Sequence, residues 1–233
     1  KKEFPSIATK LDENSSVNSW QELYDAIKAV VENSTKPVTC KIRLGWDEPS
    51  INVVETCKIL EKAGVSMIAI HGRTRTQFYE GVANYSYIKL AKEAVSIPII
   101  ANGDIDSVEK AREVLEYTKA DGIMVGRYSL GNPQLIRRLV NDYNGVNEEI
   151  DNSLIKQLSY IKKHYENLKE IKGEFRAISE MRGLAPHYLK GYADCKPYKA
   201  DLSKMKNEEE LFNILNNIKE NLCEGECRYE KTK

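Results

Sequence analysis

The chain has 233 residues, enough for one large domain or two small ones. Hydrophobic residues make up 41% and charged residues 30%, an ordinary globular balance. Lys plus Arg and Asp plus Glu each number 35, and a net charge of zero excludes nucleic-acid binding by bulk charge alone, though not through a local basic face. No apolar run approaches the ~20 residues that span a bilayer, and the opening KKEFPSIATKLDENSS lacks the apolar stretch of a signal peptide. The five cysteines, Cys40, Cys57, Cys195, Cys223 and Cys227, are odd in number and scattered. That usage fits a reducing compartment, and a cytoplasmic protein is the expectation.

In chain order, Ser19 and Glu22 have capping-box spacing ahead of a helix whose Trp20, Leu23, Ile27, Val30 and Val31 share one face. PVTCKIRL (37–44) then alternates as a strand does, with Val38, Cys40, Ile42 and Leu44 apolar and Thr39, Lys41 and Arg43 polar. Ser50 is placed to cap a helix through Leu60 that Gly64 would end. SMIAIH (66–71), IPIIAN (97–102) and DGIMVG (121–126) are further β-rich runs, each followed by a loop and a helical pattern. Ser107 can cap VEKAREVLEY, and Asn132-Pro133 reads as a cap followed by Pro at the first helical position. Four β/α units of similar length predict a parallel sheet with helical crossovers. Pattern alone leaves open whether this is half of an eight-stranded barrel or an open doubly wound sheet.

After about residue 145 the strand pattern stops, and 153–172, 174–190 and 207–222 read as helices. The boundary is placed in NDYNGVNEEID, giving an α/β part over 1–145 and a helical part over 146–233. Residues 154–206 hold twelve Lys/Arg against six Asp/Glu, so the helical part is basic in a neutral chain. The remainder, 207–233, is acidic.

Parallel α/β folds bind ligands at the carboxyl ends of their strands. Those ends read KIRLGWD (41–47), HGRTR (71–75), NGD (102–104) and GR (126–127). Lys41 and Arg43 share one side of their strand and Cys40 takes the other. Turned inward, the two cations need an anionic ligand or a salt bridge to a strand acid. His71 is either a ligand-binding residue beside Arg73 and Arg75 or a satisfied core histidine. The glycines of NGD and GR would let a phosphate approach backbone N–H groups, or they mark ordinary tight turns. The chain has no GxGxxG, Walker loop, HExxH or CxxC, and no metal site is expected. Cys223 and Cys227 in CEGEC read as thiols of a frayed tail.

From Pro37 to Pro133 the text PVTCKIRLGWD, AIHGRTRTQFYEGVANY, IPIIANGDI and ADGIMVGRYSLGNP resembles the tRNA-dihydrouridine synthases. EFRAISEMRGLAPHYLKG (174–191) resembles that family's C-terminal helical domain. The resemblance implies a (β/α)8 TIM barrel of which this chain carries strands five to eight, followed by a small all-α tRNA-binding domain. It implies FMN as cofactor, NADPH as reductant and tRNA as partner. Lys41 and His71 would contact the flavin, and Asn102, Gly103, Asp104, Gly126 and Arg127 would hold its phosphate. Arg43 and Arg73 would face the target uracil or tRNA. Arg176, Arg182, His187, Tyr188 and Lys190 would line the tRNA face of the helical domain, unless they form a solvated helix surface with one packed tyrosine.

The family's general acid is a cysteine in a loop after strand four, which would lie ahead of Lys1, and none of the five cysteines replaces it. The chain is accordingly expected to be inactive alone and to need the other half of the barrel. Besides a purely structural half-barrel module that assembles with a partner half, two alternatives remain open at this level. One is another FMN barrel oxidoreductase acting on a small molecule, and the other is a non-catalytic tRNA-binding fragment or subunit.

Overall fold

The four β-rich runs form the strands of one sheet. In the computed structural model, which describes residues 17–223 with side chains from Trp20 onward, these are β1 (Thr39–Arg43), β2 (Met67–His71), β3 (Ile99–Asn102) and β4 (Gly122–Met124). All pairings are parallel and the order is β1-β2-β3-β4. The helices of this unit are α1 (Val17–Glu32), ahead of β1, and the crossovers α2 (Val53–Lys62), α3 (Tyr85–Ala94) and α4 (Val108–Thr118). Each crossover joins a strand to its immediate neighbour, so the sheet never reverses direction as a doubly wound sheet does.

Period-two alternation decides what each sheet face meets. Ile68, Ile70, Ile99 and Ala101 share one face and are wholly buried, together with Cys57, Leu60, Ile88, Ala91 and Val114 from the helices. The Cys57 thiol is pushed up to about 12, first by burial and then by neighbouring Cys40, which places Cys40 on this helix-covered side. Carboxylates tie the strand entrances. Asp121 accepts the Ile99 N–H at 2.8 Å and pairs with Lys92, and Glu61 accepts the N–H groups of Ser96 and Ile97.

Two helix starts differ from the sequence reading. Ser50 does not cap α2; it closes a 3-10 turn, Glu48–Ser50, in a capping box with Asp47, and α2 begins at Val53 after Asn52. The turn wins because Pro49 suits its first positions and the Asp47 side chain accepts the Ser50 N–H. α1 starts at Val17, so Ser19 falls inside its first turn instead of ahead of it. Ser107 caps α4 as expected, accepting the Lys110 N–H at 3.1 Å.

The chain divides into two compact units between Gly126 and Arg127, earlier than the composition change near 145. The second holds α5 (Pro133–Tyr143), α6 (Leu154–Lys172), α7 (Glu174–Tyr188), α8 (Lys196–Lys204) and α9 (Glu208–Ile218). Four of these match helical runs in the sequence; α8 was not anticipated, because KPYKADLSK is short, polar and opened by Pro197. The core joins Ile161 and Tyr165 of α6, Ala177, Met181 and Ala185 of α7, Leu202 of α8, and Leu211 and Ile218 of α9. Cys223 is buried in this core, not in a frayed tail, and Cys227 lies outside the described residues. Among the described residues no helix is long and apolar enough to cross a membrane, and no cluster of metal-ligating side chains occurs.

Gly131 fixes the turn before α5 against the end of α7. A Cβ there would sit 2.3 Å from the His187 carbonyl carbon and 2.4 Å from the Tyr188 nitrogen, and φ is +65°. Buried Gln157 spans the same junction, donating at 3.1 Å to the carbonyls of Gly131 and Tyr188. Gly131→Ala is expected to destabilise the second unit by about 3 kcal/mol, from backbone overlap and left-handed strain together. Urea melts followed by helical circular dichroism would read this loss, and an unchanged midpoint would show that the junction can open.

Candidate active site

Strand register gathers the chemistry at one end of the sheet. Arg43 lies opposite His71, His71 opposite Asn102, and Asn102 opposite Met124, so these side chains form one row at the carboxyl ends. Lys41, opposite Ala69, stands two residues earlier on the same face. Lys41 is exposed and Arg43 half-buried, whereas His71 and Asn102 are 7% and 8% exposed. The His71 imidazole is lowered to about 4, first by burial and then by Arg43, Lys41 and Arg73, with Asp104 pulling the other way. Burial and Arg43 also lower the Lys41 ammonium. The row is therefore a neutral imidazole among crowded cations, and an electron-rich ligand would relieve the crowding.

The loop after β2 is built around two guanidinium groups. Arg73, 1% exposed, bonds both oxygens of Asp104 at 2.9 and 2.6 Å and donates to the carbonyls of Glu80 and Gly81. Its Nη1 also stands 3.5 Å from His71 Nε2. Arg43 Nη1 donates to the carbonyls of Thr74 and Phe78, at 2.7 and 3.1 Å. The substrate role expected of Arg73 is thus corrected: its side chain is spent inside the protein, because a buried guanidinium must satisfy all its donors nearby.

Within the NGD turn, Asn102 Nδ2 donates to the Met124 carbonyl at 2.7 Å and ties the ends of β3 and β4. The Asp104 carboxylate holds Arg73 and the Ala83 N–H, and the Tyr85 hydroxyl donates to the Gly103 carbonyl at 2.6 Å. The Asn102 side-chain amide and the Asp104 carboxylate are therefore bracing groups, and the backbone N–H groups of the turn are the donors expected at a phosphate. At Gly103, with φ of +122°, a Cβ would stand 2.9 Å from Ala83 Cβ and 3.0 Å from His71 Cδ2, so glycine lets the imidazole lie against the turn. Gly126 is exposed at the end of the first unit, and Arg127 is exposed at the start of the second.

On α7, Arg176 and His187 are exposed and three helical turns apart, hence on one face, and Lys190 is exposed just beyond the helix. Arg182 lies on a different side and is half-buried. Tyr188 is corrected from a tRNA contact to a core residue: it is 8% exposed and its hydroxyl lies 3.0 Å from His164 Nδ1. Trp46, Arg75, Phe78 and Tyr79 were not among the anticipated site residues, although the aromatic pair in RTQFYE directly follows the HGRTR signature.

Two measurements probe this geometry. Arg73→Ala strands a carboxylate and two carbonyls, and a loss of about 3–5 kcal/mol in urea stability is expected. The Arg73→Ala/Asp104→Ala double variant is expected to cost less than the sum of its singles, and strict additivity would show the pair uncoupled. For His71, the unfolded imidazole takes its proton near 6.5 and the folded one near 4. The unfolded chain therefore binds more protons between those values. This contribution is fully present above pH 6.5 and declines as pH falls towards about 4. Imidazole nitrogen shifts should report a neutral ring down to about pH 4, and a midpoint near 6.5 would refute the crowded-cation picture.

The first unit is a parallel α/β unit with a row of cationic and polar side chains at the carboxyl ends of its strands, the end at which this class of fold binds ligands. The dihydrouridine synthase (Dus) family model matches residues 16–224, and the chain belongs to that family. It is 44% identical over 165 residues to tRNA-dihydrouridine synthase B of Pasteurella multocida, covering 71% of this chain and 50% of that protein. A probable tRNA-dihydrouridine synthase of Rickettsia conorii is 39% identical over 178 residues, covering 76% of this chain and 54% of that protein. Over a shorter stretch of 119 residues, tRNA-dihydrouridine synthase B of Pseudomonas syringae pv. tomato is 50% identical, covering 51% of this chain and 35% of that protein. The chain spans about half the length of the curated relatives it matches.

Proposed function

We propose that this chain is the flavin- and RNA-facing part of a tRNA-dihydrouridine synthase, and that its four strands are the fifth to eighth of a (β/α)8 barrel. The unreversed order β1-β2-β3-β4 supports the barrel. The observation that carries the functional reading is the strand-end row, where Lys41, Arg43 and a neutral His71 occupy the sheet face that the helices leave uncovered.

These residues fit FMN. A ligand with negative charge would offset the repulsion that, after burial, lowers Lys41 and His71. Gly126, with nothing within 4 Å of a Cβ position, lets a phosphate approach its backbone, the turn at Gly103 supplies further backbone N–H groups, and Arg127, next in sequence, is a guanidinium suited to it. When bound and reduced by NADPH, FMN would supply the hydride that, together with a proton from a general acid, saturates the C5–C6 double bond of a tRNA uridine. The chain's own groups do the rest of the local work. Lys41 stabilises negative charge on the ligand. Neutral His71 exchanges one hydrogen bond without adding charge. Arg43, with Nη1 committed to the loop, keeps Nη2 and Nε for a uracil carbonyl or a phosphate. Arg176, His187 and Lys190 contact the tRNA. None of the described cysteines lies on the ligand face, and the general acid is assigned to the part of the family length that the chain does not span.

The test is flavin absorbance and fluorescence on adding FMN to this chain and to a full-length form carrying it, followed by NADPH-dependent dihydrouridine formation in tRNA. Yellow full-length protein is expected. Lys41→Ala is expected to weaken FMN binding about tenfold, from loss of one charge-assisted bond. A full-length form that never takes up flavin would refute the proposal.

A further inference from the structure

The loop after β2 is tied down along its length yet holds large apolar side chains in water. Phe78 and Tyr79 are each 56% exposed. Phe78 also has φ of +48°, a left-handed conformation that a bulky side chain rarely adopts. Slack does not explain this, because Arg43 and Arg73 fix the carbonyls of Thr74, Phe78, Glu80 and Gly81. The Gln77 side chain accepts the Thr74 N–H, and Thr76 bonds back to the Trp46 carbonyl. Strain held in place by its surroundings, at a position that exposes a ring, is a mark of function.

Guanidinium groups alternate with these rings. Arg75 lies over Phe78 at 4.5 Å and over Trp46 at 6.0 Å. Arg43 lies 6.0 Å from the Tyr79 ring, which stands 6.3 Å from the His71 ring. These contacts link His71, Tyr79 and Arg43 in one group, and Phe78, Arg75 and Trp46 in another. Ring faces interleaved with fixed positive charge form the kind of surface that takes up single-stranded nucleic acid, the rings stacking on bases and the cations tracking phosphates.

We propose that Phe78, Arg75 and Trp46 form a stacking platform for the unpaired nucleotides next to the uridine that Arg43 faces. This rests on the tRNA reading above and specifies where the strand runs on the first unit. A nucleotide that leaves its stack exposes the faces of its neighbours, and a preformed platform returns that stacking. Charge selects RNA over a second copy of the chain, since a two-fold contact here would set Arg75 against its own symmetry mate.

The test uses the full chain, a fluorescein-labelled single-stranded oligouridylate and a tRNA transcript, with binding read by anisotropy across a salt series. Phe78→Gly suits the left-handed backbone and so keeps the loop's shape. It is expected to weaken binding of both RNAs about tenfold while leaving the salt dependence unchanged. Phe78→Trp is expected to restore affinity, and Phe78→Leu, apolar but without a ring, is not. Arg75→Gln is expected to reduce the salt slope by about 0.7, the value of one single-strand phosphate contact. With Trp20 replaced by Phe, fluorescence of the remaining Trp46 should be quenched on binding. Wild type and Phe78→Gly binding tRNA equally would overturn the platform and leave the synthase reading standing. So would a dimer that Phe78→Gly dissolves with RNA affinity unchanged. No RNA binding by the wild-type chain would count against both.

Discussion

The strand-end architecture turns on a guanidinium that never meets solvent. Arg73 grips both oxygens of Asp104 and the carbonyls of two loop residues, so one side chain joins the loop after β2 to the turn after β3. Removing such a group from water is costly, and only a complete set of partners offsets the cost. That requirement couples residues far apart in sequence. Asp104 must take a left-handed backbone to present its carboxylate, and with Arg73 withdrawn the ligand face is left to Lys41, Arg43 and His71. Arg43 and Arg73 therefore divide labour that the sequence alone cannot apportion: both brace the loop, and only Arg43 remains partly open to a ligand.

How much was legible in the sequence depended on how local the cause was. The four strands follow from alternation and β-branched runs, and the shared face of Lys41 and Arg43 follows from a period of two, which no tertiary contact overrides. The Ser107 and Ser153 caps are local hydrogen bonds and could be anticipated or closely bracketed. The Ser50 cap could not, because Asp47 and Pro49 offered the same backbone a competing 3-10 turn. Helix α8 escaped because its single wholly buried residue, Leu202, gives no periodicity to detect.

Within the site, residue types were readable and pairings were not. HGRTR and NGD each looked like a ligand loop, yet an arginine of one and the aspartate of the other satisfy each other across 31 residues of chain. Tyr188 was open between a tRNA contact and a packed residue of the helix; its burial is set by α6, through His164 and Gln157. In both cases the deciding partner came from another element. Such long-range partners are the part of a site that composition and spacing leave undetermined.

The sheet order carries a consequence for biosynthesis. Each strand of the first unit pairs with the one made just before it, and each crossover helix is complete before the next strand emerges. For the pairings among these four described strands, no strand has to await a distant segment, so the entropic cost of forming them is met in short instalments. Such a unit can assemble during translation one β/α pair at a time, with the β1–β2 pair already in register when the Asp104 carboxylate arrives to lock Arg73 in place.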